Sequence, residues 1–369
     1  MKLSITKDQF ASGLQAVQNV VGARTTLPIL SNVLLQAEDN RLRLTATDLD
    51  VTVACTVEAK VVKKGASTLP AKRLFSIVRE APLGEIDLEV DDRNVCTLRS
   101  GSSLFKMNGL PAEDFPPLPQ FDEKKVIVLP QDKLKAMLRR TAFAASTDET
   151  RYVLNGLFFS LKDHKVTAVA TDGRRLALTD EEADIDSSAH AEFIVPTKAI
   201  NELTRLLQDK GNVELRHTDN QAAFAMPNEQ GGGILVTTKL VEGNYPNYQQ
   251  VIPRESKERV TLIREEFLQA LRRAEIMTSD KTNSVKLSFS RNQLTITANT
   301  PEVGEAIETV AINYKGNDFA IAFNPAFLVE ALRALDQDEI FFELTDELSP
   351  GVIKVNGPFL YVIMPMRTN

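Results

Sequence analysis

Lys2-Leu3-Ser4-Ile5, followed by Phe10 and Leu14, reads as a short strand running into an amphipathic helix. Val126-Ile127-Val128-Leu129 with Leu134 and Leu138 reads the same way, and so does Val260-Thr261-Leu262-Ile263 with Phe267 and Leu271. Further along each copy, an alternating apolar run closes in a small polar turn: Leu42 to Asp50, Val166 to Arg174 and Leu294 to Glu302. Ala46, Ala170 and Ala298 align at spacings of 124 and 128 residues. The prolines leading a second helix, Pro70, Pro196 and Pro325, are 126 and 129 residues apart. A period of one third of the chain is too long for a solenoid, whose units hold about 20–50 residues. It matches a whole domain of roughly 100–150 residues. The pattern predicts three tandem copies of one domain, a scaffold in which geometry matters more than a single catalytic pocket.

With 369 residues, of which 43% are apolar and 25% charged, the chain has enough material to bury a core in each copy. Its two cysteines, Cys55 and Cys96, form no CxxC, so neither a disulfide framework nor a zinc ribbon is expected and the compartment reads as reducing. The segment Met1 to Lys7 lacks the apolar core of a secretory signal, and no run approaches the roughly 18 apolar residues of a spanning helix. A cytoplasmic protein is expected. The net charge of -7 argues against gripping nucleic acid over the whole surface, but leaves room for one basic face.

Proline-rich joints, Asp114-Phe115-Pro116-Pro117-Leu118-Pro119 and Asn244-Tyr245-Pro246-Asn247-Tyr248, place boundaries near residues 122 and 256. The expected domains are 1–122, 123–255 and 256–369, each α+β with helices on one face of antiparallel sheet. The expected helices are rich in cations. Asp132 to Thr141 carries Lys133, Lys135, Arg139 and Arg140; Lys72 to Glu80 carries Lys72, Arg73 and Arg79. Lys198 to Lys210 adds Arg205 and Lys210, and Glu265 to Ala274 adds Arg272 and Arg273. One such helix is ordinarily a solvated face; recurrence in successive copies points to a shared basic surface. The last helix, Pro325 to Leu335, sets Arg333 against Glu330 and departs from the trend.

Little catalytic chemistry is legible. His164, His190 and His217 lack metal-site spacing, and no metal site or cofactor is expected. Gly231-Gly232-Gly233 has no GK[ST] after it and reads as a hairpin tip. Asp48, Asp50 and Asp172 admit a metal-dependent hydrolase, yet Thr300 stands at the third equivalent place, and turn-forming side chains account for all of them. No catalytic residue is assigned.

Five stretches carry a resemblance: Arg24-Thr25-Thr26-Leu27-Pro28-Ile29-Leu30, Leu110-Pro111-Ala112-Glu113-Asp114-Phe115-Pro116, Arg151-Tyr152-Val153-Leu154-Asn155-Gly156, Ala170-Thr171-Asp172-Gly173-Arg174-Arg175-Leu176 and Val362-Ile363-Met364-Pro365-Met366-Arg367. Over essentially its full length the chain resembles the bacterial sliding clamps, the beta subunits of DNA polymerase III. The resemblance implies a non-catalytic processivity factor of DNA replication, a homodimeric six-domain ring that encircles double-stranded DNA without reading sequence. Helices would line the inner face and antiparallel sheets the outer face.

By resemblance Arg24, Lys198 and Arg205 face DNA, and helix charge adds Lys133, Arg139, Arg140, Arg272 and Arg273. The family also captures short apolar-tipped peptides of the polymerase catalytic subunit, the clamp loader, other polymerases and repair proteins. The resemblance lines that groove with Arg151, Leu154, Thr171, Gly173, Arg174, Arg175, Leu176, Pro246, Val251, Phe327, Leu348, Val362, Ile363, Met364 and Met366, with Gln250 where many clamps have arginine. Val362, Ile363 and Met364 read equally as a buried last strand. For the dimer interface it implies Phe105, Ile276 and Met277, with Lys72 facing Glu302, Glu305 and Glu308; Phe105 also reads as core. A protein-interaction scaffold without DNA is the competing class.

Overall fold

The computed structural model describes residues 1–22, 27–118, 121, 126–185, 190–228, 232–279 and 283–367. The first repeat runs β1 (Lys2–Thr6), α1 (Lys7–Val17), β2 (Asn32–Glu38), β3 (Arg41–Thr47), β4 (Val51–Glu58), β5 (Lys60–Lys63), β6 (Gly65–Pro70), α2 (Ala71–Glu80), β7 (Glu85–Val90), β8 (Val95–Ser100) and β9 (Ser103–Asn108). The second runs β10 (Ile127–Pro130), α3 (Gln131–Thr141), β11 (Gly156–Lys162), β12 (Lys165–Thr171), β13 (Arg175–Glu182), β14 (Ala191–Pro196), α4 (Thr197–Leu206), β15 (Asn212–His217), β16 (Gln221–Pro227) and β17 (Gly233–Lys239). The third runs β18 (Glu258–Ile263), α5 (Arg264–Glu275), β19 (Val285–Ser290), β20 (Gln293–Thr300), β21 (Gly304–Ala311), β22 (Phe319–Phe323), α6 (Pro325–Arg333), β23 (Glu339–Leu344), β24 (Gly351–Lys354) and β25 (Phe359–Ile363).

Every strand pair is antiparallel, and two of the four sheets cross a repeat boundary. One eight-stranded sheet is ordered β10-β15-β16-β17-β4-β3-β2-β6, with β17 of the second repeat paired to β4 of the first. The other is β14-β11-β12-β13-β25-β24-β23-β18, with β13 of the second repeat paired to β25 of the third. Sheets β5-β1-β7-β8-β9 and β21-β20-β19-β22 complete the set. Because the second repeat gives half its strands to each neighbour, the chain packs as two compact units. These are residues 1–135 with 198–240, and residues 136–197 with 241–369. Of the expected boundaries, that near 122 lies outside the described residues, and that near 256 follows the 3-10 turn Tyr248–Val251.

The strand-to-helix motif behaves as its pattern requires. Phe10 and Leu14 of α1 are fully buried, and α1 packs across β3 and β4. Phe267 and Leu271 of α5 are buried likewise, over β20 and β21. At Gly13 a side chain would put a Cβ 2.7 Å from Leu44 Cδ1, so glycine lets α1 lie close on β3. Thr6 caps α1 by accepting from Gln9 N at 3.3 Å, and Asn324 caps α6. Two helices are shorter than their pattern: α6 ends at Arg333, and α4 ends at Leu206, where Gln208 N donates to Gln131 Oε1 at 3.0 Å instead of continuing the ladder. Lys210 therefore sits outside the helix, exposed.

Gly231 is outside the described residues, but β16 and β17 do form a hairpin, with Gly232 N donating to Asn228 Oδ1 at 2.7 Å. Cys55 and Cys96 are buried free thiols, pushed up to about 11 and about 12 by desolvation, so they stay protonated. No helix among the described residues is long and apolar enough to cross a membrane.

In the second unit Phe342 is fully buried and its ring touches those of Phe267, Phe289 and Phe323. Phe342→Ala leaves a cavity that the surrounding rings fill only in part, at a cost of about 3–5 kcal/mol. Urea unfolding should show the loss as a lower midpoint at unchanged slope.

Candidate functional site

The groove residues fall in the second unit, around the β13–β25 pair. Residues Leu176 and Leu178 of β13 stand opposite Val362 and Leu360 of β25 on one face of the sheet. With Phe158, Val169, Ile194 and Val352 they form an apolar floor. The segment after β17 lies over this floor: Tyr245 stacks on Phe158 at 5.0 Å between centroids, and Tyr248 tilts against the same ring at 5.9 Å. Burial raises both tyrosine hydroxyls above their ordinary range. Beyond the covered floor, Met364, Met366, Val251 and Leu348 are exposed apolar side chains, and Pro246 is exposed as well. Leu348 and Met366 border a cleft of about 340 Å³ against Ala320–Ala322 and Lys286. Methionines at such a rim adapt to different apolar ligands.

A tight loop forms the rim. Asp172 Oδ1 accepts from Arg174 N at 2.9 Å and Arg175 N at 3.1 Å, and Thr171 Oγ1 accepts from Gly173 N at 3.1 Å. Gly173 has φ +86°, a left-handed value that favours glycine. Arg151 braces the loop by donating to Asp172 O at 3.0 Å, and is held by Asp148 at 3.1 Å. Thr150, through hydroxyl and backbone amide, and then Arg151 keep Asp148 below the ordinary carboxylate range. Met364 N donates to Arg174 O at 2.9 Å and ties the terminal segment to the rim.

Arg175, Ile363 and Phe327 lie on the opposite, helix-bearing face. Arg175 is 8% exposed; it donates to Asp172 Oδ2, Phe143 O and Glu330, and its guanidinium sits 4.2 Å over the Phe327 ring. Ile363 is opposite Arg175 in the strand pair and fully buried. These three hold the rim from behind. Leu154, Leu176 and Val362 are also buried, so within the terminal strand the buried reading describes Val362 and Ile363, and Met364 is the exposed member. The aromatic cover, Tyr245 and Tyr248 on Phe158, was readable in sequence only as a joint; stacking on a strand so far back in the chain leaves no local periodicity.

Arg24 lies outside the described residues. In the first unit, Lys133 is exposed on α3, Lys198 pairs with Asp48, and Arg205 pairs with Glu202 while donating to Gln15 O at 3.2 Å and Ala16 O at 2.7 Å. Arg205 thereby caps the C-terminal end of α1. In the second unit Arg139 pairs with Asp336 and Arg273 with Glu308 at 2.6 Å; Arg272 is exposed, and Arg140 is half-buried, its pKa lowered by desolvation and by Arg139. Most helix cations thus already hold a carboxylate.

The carboxylates of the hydrolase alternative are engaged elsewhere. Asp48 accepts from Asp50 N at 3.0 Å and Val51 N at 2.8 Å, and Asp50 pairs with Lys239 at 3.0 Å. Among the described residues, no three acids, histidines or cysteines converge as metal ligands.

Strand β9 ends a sheet in the first unit, and β21 ends one in the second. Phe105 of β9 is 37% exposed and therefore not core, and Lys72 is exposed on α2. Ile276 is exposed beyond α5, Met277 is half-buried, Glu302 and Glu305 are exposed, and Glu308 faces Arg273. Two further exposed apolar side chains on these edges, Leu104 and Ile307, escape a reading based on charge and resemblance; their signal is an apolar residue on the solvent-facing side of an edge strand.

Three alike domains joined by continued sheets, with exposed apolar side chains beside the β13–β25 pair, make a clamp-type platform. Models of the DNA polymerase III beta subunit match the chain as N-terminal domain over residues 1–119, central domain over 128–247 and C-terminal domain over 249–367. The chain belongs to the DNA polymerase III beta subunit family. The "Beta sliding clamp" of Chlamydia pneumoniae is 36% identical over 367 residues, covering 100% of this chain and 99% of that protein. That of Escherichia coli K12 is 36% identical over 374 residues and covers both chains fully. The crystal structure of the DNA polymerase sliding clamp from Bacillus subtilis matches with TM-score 0.94 at 31% identity, over 100% of both chains. The family is that of a non-catalytic subunit, which removes the hydrolase alternative.

Arg273 holds Glu308 below its ordinary pKa by hydrogen bonding, so the pair stabilises the folded chain above the ordinary carboxylate range and is lost as pH falls through the lowered value. Glu308→Gln should lower the thermal midpoint slightly at about pH 7 and match wild type at about pH 2, as followed by circular dichroism.

Proposed function

We propose that two copies of the chain pair head to tail into a ring around duplex DNA and serve as the processivity clamp of DNA polymerase III. One observation carries this reading: the same strand pair closes each joint between repeats, and one strand of each kind is left over. Strands β4, β13 and β21 occupy the same place in the three repeats, as do β17, β25 and β9. Within the chain β4 takes β17 and β13 takes β25. The leftover β21 and β9 belong to the last and first repeats, so a second copy supplies both missing partners. A heterologous contact whose rotation closes gives a ring, and closure pairs both of the edges left over.

In the proposed ring the helices face the DNA and the sheets form the outer wall. Retention is topological, because escape requires opening a joint, and weak phosphate contacts permit sliding. Lys133, Lys198, Arg205, Arg139, Arg140, Arg272 and Arg273 are the proposed DNA-facing cations. The β13–β25 groove is the proposed dock for apolar-tipped peptides of the polymerase, the clamp loader and repair proteins, with Gln250 exposed at its border as a polar contact. The proposed location is the cytoplasm.

Loaded onto nicked circular DNA by a clamp loader, the protein should stay bound in high salt and be lost when the circle is cut. Release by salt alone from both forms would leave the scaffold class standing. Met364→Asp should weaken binding of a fluorescein-labelled hexapeptide ending in Leu-Phe by at least about tenfold, through a charge placed against the apolar floor. Sedimentation should still give the dimer.

A further inference from the structure

The two joints inside the chain share one register, and it fixes the contacts of the third. Following the ladder from the first strand of each repeat, Leu3, Ile127 and Val260 are equivalent, and they face Leu88, Leu215 and Phe342. These face Leu98, Phe224 and Ile353, which face Phe105, Val236 and Tyr361. Phe105, Val236 and Tyr361 are therefore equivalent. On the other side Ala46, Ala170 and Ala298 face Val53, Ala177 and Ala306. At the first joint Val236 pairs with Val53, and at the second Tyr361 pairs with Ala177. Equivalent residues meet at both.

Resting on the head-to-tail reading above, we infer that the joint between copies repeats this register, with Phe105 of one copy opposite Ala306 of the other. Leu104 then stands opposite Ile307, and Lys106 opposite Glu305. Both consequences make physical sense. Leu104 and Ile307 are 53% and 64% exposed in the single chain, and their equivalents are the apolar pairs Leu235–Ala54 and Leu360–Leu178. Mutual burial removes two exposed apolar side chains from water at each joint. Lys106 and Glu305 are exposed and opposite in charge, where the equivalent pairs are Thr237–Thr52 and Val362–Leu176. The third joint thus carries an ion pair at a place where the permanent joints carry none, which suits an interface that must find its partner and also open.

The test is a charge exchange across the joint in the full chain, read by sedimentation velocity as the dimer dissociation constant. Lys106→Glu and Glu305→Lys should each raise it by at least about tenfold, since both joints of the dimer then face like charges. The double variant Lys106→Glu with Glu305→Lys should return it to within about threefold of wild type. Both side chains are exposed in the single chain, so unchanged far-ultraviolet circular dichroism checks that the fold is kept. A dimer in which the double variant is no better than the singles overturns the register while leaving the ring. A wild-type chain that sediments as a monomer at micromolar concentration overturns both.

Discussion

Antiparallel pairing between strands of successive repeats governs the whole molecule. Without β4 against β17 and β13 against β25, these four strands would be unpaired edges, four more aggregation templates than the chain presents. Pairing turns these edges into joints. Because backbone ladders have a fixed register and a one-residue slip inverts every side chain, the joints are stiff in the one respect that matters, the side-chain order across them. Stiffness of this kind lets a repeated module set a geometry no single domain could define.

The groove is a by-product of one joint. Strands β13 and β25 bring Leu176 and Val362 side by side, and the chain leaving β17 lays Tyr245 and Tyr248 over part of that surface. Behind the sheet, Arg175 anchors the rim to α6 through Glu330 and to the 3-10 turn Ala142–Ala144 through Phe143 O. A buried guanidinium is costly unless its donors are satisfied, and here carboxylates, a carbonyl and two aromatic faces meet that demand. At the first joint Val51 occupies the place of Arg175 and Thr52 that of Leu176. The same architecture therefore offers an apolar floor at one joint and a hydroxyl-lined one at the other.

Much of this was legible in the residues. The threefold repeat announced the domain plan because strand and helix periodicities are local, and Phe10, Leu14, Phe267 and Leu271 are buried as their spacing requires. Turn chemistry at Asp48 and Asp172 was legible for the same reason. Tertiary partners were not. That Arg205 caps α1, that Arg139 meets Asp336 and that Arg175 turns its back on the groove depend on contacts between residues far apart in the chain. Nor could alternation alone tell which face of the last strand is open: Val362 belongs to the floor, Ile363 to the helix face, and only Met364, past the strand end, reaches solvent. The exchange of strands between repeats also escaped notice, since pairing choice is written in the order of the finished sheets.

The ion pairs along the helices bear on how a ring would travel. Lys198 with Asp48, Arg139 with Asp336 and Arg273 with Glu308 each offer a cation that is already satisfied. A passing phosphate can replace the carboxylate, and the carboxylate can reclaim its cation when the phosphate moves on, with little change in free energy either way. The corrugation felt along the duplex axis is then shallow. Low friction, on this view, comes from carboxylates that keep these paired cations from holding any one phosphate for long.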